Sequence, residues 1–492
     1  MIFRQKASLV LAVLIPLFCF SKMGIAQNST GSISGTVKDS SGAVVPGANV
    51  HVVSIATGAT RDVQSDAYGD YIVSQLPIGN YKVTVAKPGF KTESTNNVQV
   101  QILSTVTVNF SLEVGGASQT VVVNVSSAQA QLDTQTSQAG TVIENRQINN
   151  LPLNVRQFMQ LIFLAPMAVP AANDYRSNET PRNTNVPAAA GQMPENNNYQ
   201  IDGMDNLETG RNNFDVSVPV DSVQEFRVQT GMPPAEFGRG GGAIINVVTR
   251  SGSDQFHGSA YEFARNDTFD AKPYFAVAKS PLTRHQFGGS LGGPIKRQKL
   301  FFFGNYEGLR QSSTISPPTG LVPTVAEKQG VFPSTIIDPT TGQPFPSNTI
   351  PSQDINPISK NLLPLFPDPN VSGQTGYNFT FFNVPTVQNN YDYAVGRVDA
   401  NLGSKDTLFG RYLYDKEVNG HPPTLPAPGL SGGSNLTLFN QGAGIQWNHI
   451  FSPTLLNTAS VSYARYHNET TTLNSFRQNF IAPSGRTFKE KL

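Results

Sequence analysis

Gly238, Gly240 and Ala243 have the spacing G-x-G-x-x-A, which between a strand and a helix lets backbone amides approach a pyrophosphate. That setting is missing. Pro233-Pro234 stands where a strand must lead in, and the β-branched run Ala243 to Thr249 follows where a helix must begin. No Gly-Lys-Ser/Thr completes a phosphate loop, and no H-E-x-x-H offers a zinc pair. Asp202 and Asp205 do not make a calcium loop, because Met204 and Leu207 occupy ligand positions. The single cysteine, Cys19, lies in the N-terminal apolar run between poor lipobox residues, so thiol and Cys-zinc chemistry are not expected of the mature chain. No catalytic residue, metal or cofactor is assigned, and the glycines read as a structural turn.

The elements around that turn are strands. Val223, Phe226 and Val228 place apolar side chains among polar neighbours, and Ala243 to Thr249 reads as a buried strand. Upstream, Phe158, Leu161 and Ile162 fall at i, i+3 and i+4 of a short helix within Arg156 to Leu164, which Ala165-Pro166 stops. Ala171 to Asn198, polar and rich in Asn, Ala and Pro, reads equally as a plug loop facing incoming ligand or as a solvated linker. Arg239 and Arg250 are candidates for ion pairs with a surrounding wall.

Composition sets the class. The chain has 492 residues, 35 basic against 34 acidic, and a net charge of +1, so no basic stripe is available for nucleic acid. Arg4 and Lys6, the apolar run Ala7 to Phe20 and the small-residue site Gly24-Ile25-Ala26 predict a signal peptide over residues 1–26. From 30 to 114, about seven short strands punctuated by Asp39 to Gly42, Pro46-Gly47, Thr57-Gly58, Pro77 to Gly79 and Pro88-Gly89 predict an immunoglobulin-like β-sandwich. Tyr81, Val83 and Val85 share one face of a strand; Val106, Val108, Phe110 and Leu112 share one face of another.

Beyond Gly252 the pattern is that of a membrane barrel. Strands are predicted near Phe256 to Ala264, Arg284 to Gly292, Leu300 to Arg310, Tyr391 to Leu402, Asp406 to Lys416, Gln441 to Phe451 and Leu455 to His467. Their connections alternate long and short, as when tight periplasmic turns face large external loops. Ala443, Ile445, Trp447 and Phe451 form a lipid-compatible face opposite Gly444, Gln446 and Asn448, and aromatic pairs such as Tyr412 with Tyr414 suit interfacial girdles.

Several motifs carry a family resemblance. Ile201-Asp202-Gly203, Val223-Gln224-Glu225-Phe226, Phe237-Gly238-Arg239-Gly240 and the strand Ile245 to Arg250 with Asn246 resemble the plug of TonB-dependent outer-membrane transporters. I-x-x-L-P-x-N-x-R-x-F-x-x-L from Ile148 and GGSLGGPIKRQKLFFFGNYEGLR at Gly288 to Arg310 are similar to the Oar-like subgroup. G-x-I-x-G-x-V-x-D-x-x-G, L-P-x-G-x-Y-x-V and P-G-F within 30–114 resemble the carboxypeptidase-regulatory-like domain, without any zinc constellation.

The resemblance implies a mainly β chain: an Ig-like β-sandwich (30–114), a mixed α/β plug (117–252) and the first strands of a transmembrane β-barrel (253–492). It implies residence in the outer membrane in contact with its lipid, with sandwich and plug facing the periplasm. It also implies uptake of an external glycan, peptide, siderophore or protein, powered by TonB and its inner-membrane complex. Thr120, Val121, Val122 and Val123 are the candidate TonB-coupling segment, with Gln119 in place of the usual acidic residue; the same run also reads as the last strand of the sandwich or as a linker. A plugged transporter closes with roughly 22 strands, so an N-terminal fragment or truncated product is expected. The alternative functions are an outer-membrane adhesion or structural protein, and a passive channel that the plug disfavours.

Overall fold

The computed structural model describes residues 29–115, 120–124, 140–171, 187–208, 210, 214–231, 238, 240–272, 274, 279–314, 320–366, 368–369, 379–381, 386–421, 433–452 and 455–472. The first unit is a sandwich of β1 (Gly31–Asp39), β2 (Asn49–Ser54), β3 (Thr60–Gln64), β4 (Asp70–Leu76), β5 (Gly79–Ala86), β6 (Thr92–Val100), β7 (Thr105–Thr107), β8 (Phe110–Leu112) and β9 (Thr120–Asn124). One sheet has the order β4-β1-β7 with β8 also on β1; the other runs β3-β2-β5-β6-β9. The predicted alternation is visible in the core, where Tyr81, Val83, Val85, Val106, Phe110 and Leu112 are buried. The run predicted as one strand from Val106 divides into β7 and β8, both parallel to β1. Asn109 explains the interruption: its side-chain oxygen accepts from Thr36 N at 2.9 Å, replacing a backbone acceptor.

The plug contains β10 (Gly140–Glu144), a helix over Asn145–Asn150, a 3-10 turn over Phe158–Leu164, β11 (Ala168–Pro170), β12 (Pro187–Ala189), β13 (Asn198–Ile201), β14 (Met204–Asp205), β15 (Val223–Gln229) and β16 (Ile244–Thr249). Its main sheet has the order β10-β15-β16-β13-β14. The helix expected over Arg156 to Leu164 forms as the tighter 3-10 turn, burying Phe158, Met159, Leu161 and Ile162 against Phe226, Val228 and Ile245. The Phe158 and Phe226 rings meet edge to face at 5.5 Å. Val395 and Leu413 of the barrel wall join this same cluster, so the plug core continues into the wall.

The wall is an antiparallel sheet of β17 (His257–Asn266), β18 (Leu282–Lys296), β19 (Leu300–Thr314), β22 (Thr386–Asn401), β23 (Asp406–His421), β24 (Ser434–Ser452) and β25 (Leu455–Arg465), with β26 (Asn468–Thr472) continuing on β24 after a break. β20 (Gly320–Val322) and β21 (Phe379–Phe381) pair as a two-stranded ribbon within the longest connection. All seven expected strand positions are occupied. Several extend further from the short turns than expected, because the Ser-, Thr- and Asn-rich ends keep pairing: Thr386 still pairs with Thr314 and Ser434 with His421. On β23, Phe409, Arg411, Leu413, Asp415 and Glu417 turn inward while Tyr412 turns outward. Ile445 and Phe451 face outward, and Trp447 Nε1 donates to Asp406 near the short turn at 2.9 Å.

Candidate functional site: the plug contacts

Asp202 and Gly203 form the two-residue connection between β13 and β14, with φ of 50° and 73°. Two consecutive positive φ values fit the right-handed twist of the flanking strands, and Asp-Gly is a pair that tolerates them. The turn also aims a carboxylate. Asp202 Oδ1 accepts from Thr249 N at 2.8 Å, and Oδ2 accepts from Thr249 Oγ1 at 2.8 Å. Two barrel arginines complete its surroundings: Arg397 Nη1 at 3.1 Å from Oδ1 and Arg411 Nη1 at 2.7 Å from Oδ2. Arg397 is also held by Asp399 at 2.7 Å and lies 4.4 Å from the centre of the Phe409 ring. Asp202 is the only carboxylate paired with Arg411 among the described residues.

A second polar contact begins at Val155 and Arg156, whose φ values of 59° and 48° lie in the left-handed region. For β-branched Val155 that backbone is strained by about 1–2 kcal/mol. The strained turn directs Arg156 onto Asp221 of the plug at 2.9 Å and Glu307 of β19 at 3.3 Å. Glu307 accepts further from Tyr261 at 2.5 Å, Tyr391 at 3.0 Å and Gln286 at 3.1 Å. The Arg156 guanidinium lies 4.5 Å from the centre of the Tyr261 ring. Asp415 of the wall also accepts from the Ser217 amide at 2.9 Å.

The third contact joins sandwich to plug. The turn after β6 presents the amide of Ile102 to Glu225 Oε1, while Arg227 Nη1 donates to the carbonyls of Ile102 at 3.2 Å and Leu103 at 2.7 Å. Gln99 and Gln101 both donate to Glu144, at 3.1 and 2.7 Å. Burial first, and then the neighbouring Glu144 charge, push the Glu225 carboxyl up to about 7, against the Ile102 amide and Arg227, which favour the anion. Detached and exposed, that carboxyl would return toward the ordinary value of 4.5. Docking therefore takes up a proton between those values; it is strongest below about pH 4.5 and weakens as pH rises through about 7. Spin labels placed on the sandwich and plug should report a broader distance distribution at pH 8 than at pH 5.5. Glu225→Gln should remove that difference; an unchanged pH dependence in the variant contradicts the assignment.

The glycine loop acts differently from a turn. Neither Gly240 nor any of its described glycine neighbours has positive φ. Instead Gly240 passes so close to Asn196 that a Cβ would overlap the Asn196 carbonyl oxygen, and Gly242 N donates to that oxygen at 3.0 Å. Asn197 Oδ1 then accepts from Ala243 N at 2.9 Å, and Asn198 Nδ2 donates to Gly238 O at 2.9 Å, which sets the parallel pairing of β13 with β16. Gly240→Ala is expected to cost about 1–3 kcal/mol by overpacking, read as a lower melting transition of the plug.

The remaining sequence candidates divide. Phe237 and Arg239 lie outside the described residues. Arg250 makes no ion pair among the described residues; its guanidinium lies 5.7 Å from the centre of the Phe303 ring, and its Nη1 donates to the Asp221 carbonyl at 3.5 Å. Asn246 is buried, and its side chain has no hydrogen-bond partner among the described residues. Thr120, Val121, Val122 and Val123 form part of β9, paired in parallel with Thr92 to Thr95 of β6. Arg397 and Arg411, which no motif contains, and Glu307, which lies within the Gly288 to Arg310 motif, carry the wall side of the contacts. Their signal was inward register on strands already located.

Residues 248–488 match the model of an outer membrane β-barrel domain, and residues 32–113 that of a carboxypeptidase regulatory-like domain. The chain is 29% identical over 326 residues to the TonB-dependent transporter Oar of Myxococcus xanthus, covering 62% of this chain and 28% of that protein. Among solved structures it is similar to the outer membrane transporter YddB of Escherichia coli, with 10% identity, TM-score 0.45 and coverage of 68% and 39% of the two chains. It is also similar to the ferric enterobactin receptor of Pseudomonas aeruginosa, with 15% identity, TM-score 0.40 and coverage of 67% and 41%. The chain thus spans well under half the length of these proteins.

Proposed function

We propose that this outer-membrane chain, a homologue of the TonB-dependent transporter Oar with a carboxypeptidase regulatory-like domain at its N-terminal side, takes up an external ligand through TonB-driven displacement of its plug. The observation that carries this reading is the plug's attachment to the wall through Asp202, Arg397 and Arg411. Such a contact is strong at rest, yet it is made of a few charged hydrogen bonds that a pull can break one after another. The same seam carries apolar packing at Val395 and Leu413, which such a pull has to part as well. Ligand would bind the plug apex and the long connections; TonB would engage the strand containing Thr120 to Val123 from the periplasm and pull. No covalent step is involved.

The reading is tested in cells carrying the whole gene, offered radiolabelled ferric siderophores, oligosaccharides and peptides in turn. Uptake of the ligand that is accepted should fall to background when TonB is removed, and likewise when residues 119–125 are deleted. Uptake that persists unchanged without TonB overturns the proposal.

A further inference from the structure

The sandwich also sits on the short turns of the wall. Arg61 Nη1 donates to Ser404 O, between β22 and β23, at 2.7 Å, and Asp254 N, just before β17, donates to Ala56 O at 2.9 Å. Beside these contacts sandwich, plug and wall together line a cavity of about 440 Å³, within the size range of small-molecule sites. It lies on the side of the short turns, since Asn401 and Phe301 in its lining adjoin them.

The charge in this lining does not balance. Asp399 is held by Arg397, and Asp202 by Arg397 and Arg411, two cations against two anions. That leaves Arg61 of the sandwich and Arg250 of the plug, both in the lining. The Arg61 guanidinium donates to the carbonyls of Thr60 and Ser404, that of Arg250 to the carbonyl of Asp221, and neither makes an ion pair among the described residues. The carboxylates near them are engaged elsewhere, Asp221 with Arg156 and Asp406 with Trp447 and His449. Burial pushes both guanidinium groups below the ordinary arginine value, against Tyr81 and Asp406 at Arg61 and against Asp221 at Arg250.

Two hydrogen-bonding atoms of the lining residues are unsatisfied as well. Arg61, only 8% exposed, has a buried Nε–H without an acceptor, and Gln446, 1% exposed, has a buried Oε1 without a donor among the described residues. Leaving such groups unpaired is costly. The two are complementary, a donor on a cation and an acceptor on an amide, so one ligand can meet both if it carries an oxyanion and a hydroxyl. Water can satisfy the hydrogen bonds but leaves the two cations unbalanced.

We propose that this cavity binds a small hydroxylated anion, in chemical class a sugar acid or sugar phosphate, with Arg61 and Arg250 supplying the charge and Gln446 accepting from a hydroxyl. Guanidinium groups suit carboxylate and phosphate alike. The site goes beyond the uptake reading: it lies away from the long connections, and filling it requires neither TonB nor transport. Its ligand touches sandwich, plug and wall together, so it binds only while the sandwich is docked. At about a hundred times its Kd it therefore favours docking about a hundredfold.

The test is titration calorimetry on the full-length protein in detergent, with glucuronate, glucose 6-phosphate, inorganic phosphate and glucose as probes. Glucuronate or glucose 6-phosphate should bind at least about tenfold more tightly than glucose, which lacks the anion, and than inorganic phosphate, which lacks the sugar; the better of the two tells carboxylate from phosphate. Arg250→Gln, which breaks no ion pair among the described residues, should weaken that sugar anion at least about tenfold. Gln446→Met should weaken it about fivefold and leave the affinity for inorganic phosphate unchanged. Spin labels on sandwich and plug should report a narrower distance distribution at pH 8 once the sugar anion is added. Glucose bound as tightly as the anions, or no anion bound at all, overturns the proposal. Inorganic phosphate bound as tightly as both sugar anions shows an adventitious ion only and overturns it too. Wild-type affinity in Arg250→Gln, or a distance distribution unmoved at saturation, places the ligand outside this cavity and does the same.

Discussion

Asp202→Ala should loosen the plug from the barrel wall by about 3–5 kcal/mol, the typical cost of leaving a buried charge without its partner. Two arginines lose a carboxylate at once. Arg397 keeps Asp399 at 2.7 Å, but Arg411, whose side chain is only 4% exposed, keeps no carboxylate among the described residues. Hydrogen exchange of β13 and β16 in outer-membrane vesicles should therefore accelerate by about two to three and a half orders of magnitude, since each 1.4 kcal/mol is a factor of ten. Asp202→Asn retains an oxygen that can accept from Thr249 and should fall between the two. The decisive variant is Asp202→Ala combined with Arg411→Leu. Replacing both members of a buried pair removes the orphaned cation, so the double variant should recover much of the loss. If Asp202→Ala exchanges like wild type, the carboxylate is not what fastens the hairpin.

This contact also shows how far the sequence could be read. Ile201-Asp202-Gly203 was legible as a motif, and Asp-Gly between apolar residues is a hairpin signal. Its partners were not, because Arg397 and Arg411 lie 195 and 209 residues away and only the register of β22 and β23 brings them to the same carboxylate. The expected wall contacts were assigned to Arg239 and Arg250, by charge alone. Charge without register cannot say which side of an interface supplies the anion. Strand positions were easier, since alternation repeats over ten residues or more, whereas strand ends depended on pairing of polar residues that resemble loop.

The run Thr120 to Val123 illustrates a different limit. The sequence left a coupling segment and a last sandwich strand as alternatives, and β9 makes them compatible, because an edge strand can belong to one sheet and still offer its other edge. For Glu225, the motif located the residue but its environment comes from Ile102, 123 residues earlier in another domain. Long-range contacts between separately folded units leave no local periodicity to detect.

Glu307→Ala should produce the second large effect, about 3–5 kcal/mol from leaving several buried donors short of an acceptor, but on a different part of the plug. The substitution removes the acceptor shared by Tyr261, Tyr391 and Gln286 and leaves Arg156 with Asp221 alone. The left-handed backbone at Val155 and Arg156 is then no longer compensated, so this segment should relax and become a trypsin site at Arg156. Glu307→Gln, which can still accept from the hydroxyls but carries no charge, should protect the site partly. Combining Glu307→Ala with Asp202→Ala distinguishes two ways a plug can yield. If it leaves the wall as one body, both anchors oppose the same motion and their losses add in the exchange of every plug strand. If it yields piecemeal, Asp202→Ala should expose β13 and β16 and Glu307→Ala the 155–156 segment, each without affecting the other. The separate arginine clusters and the further polar contact at Asp415 favour piecemeal release, because anchors that share no residue can break in turn rather than together.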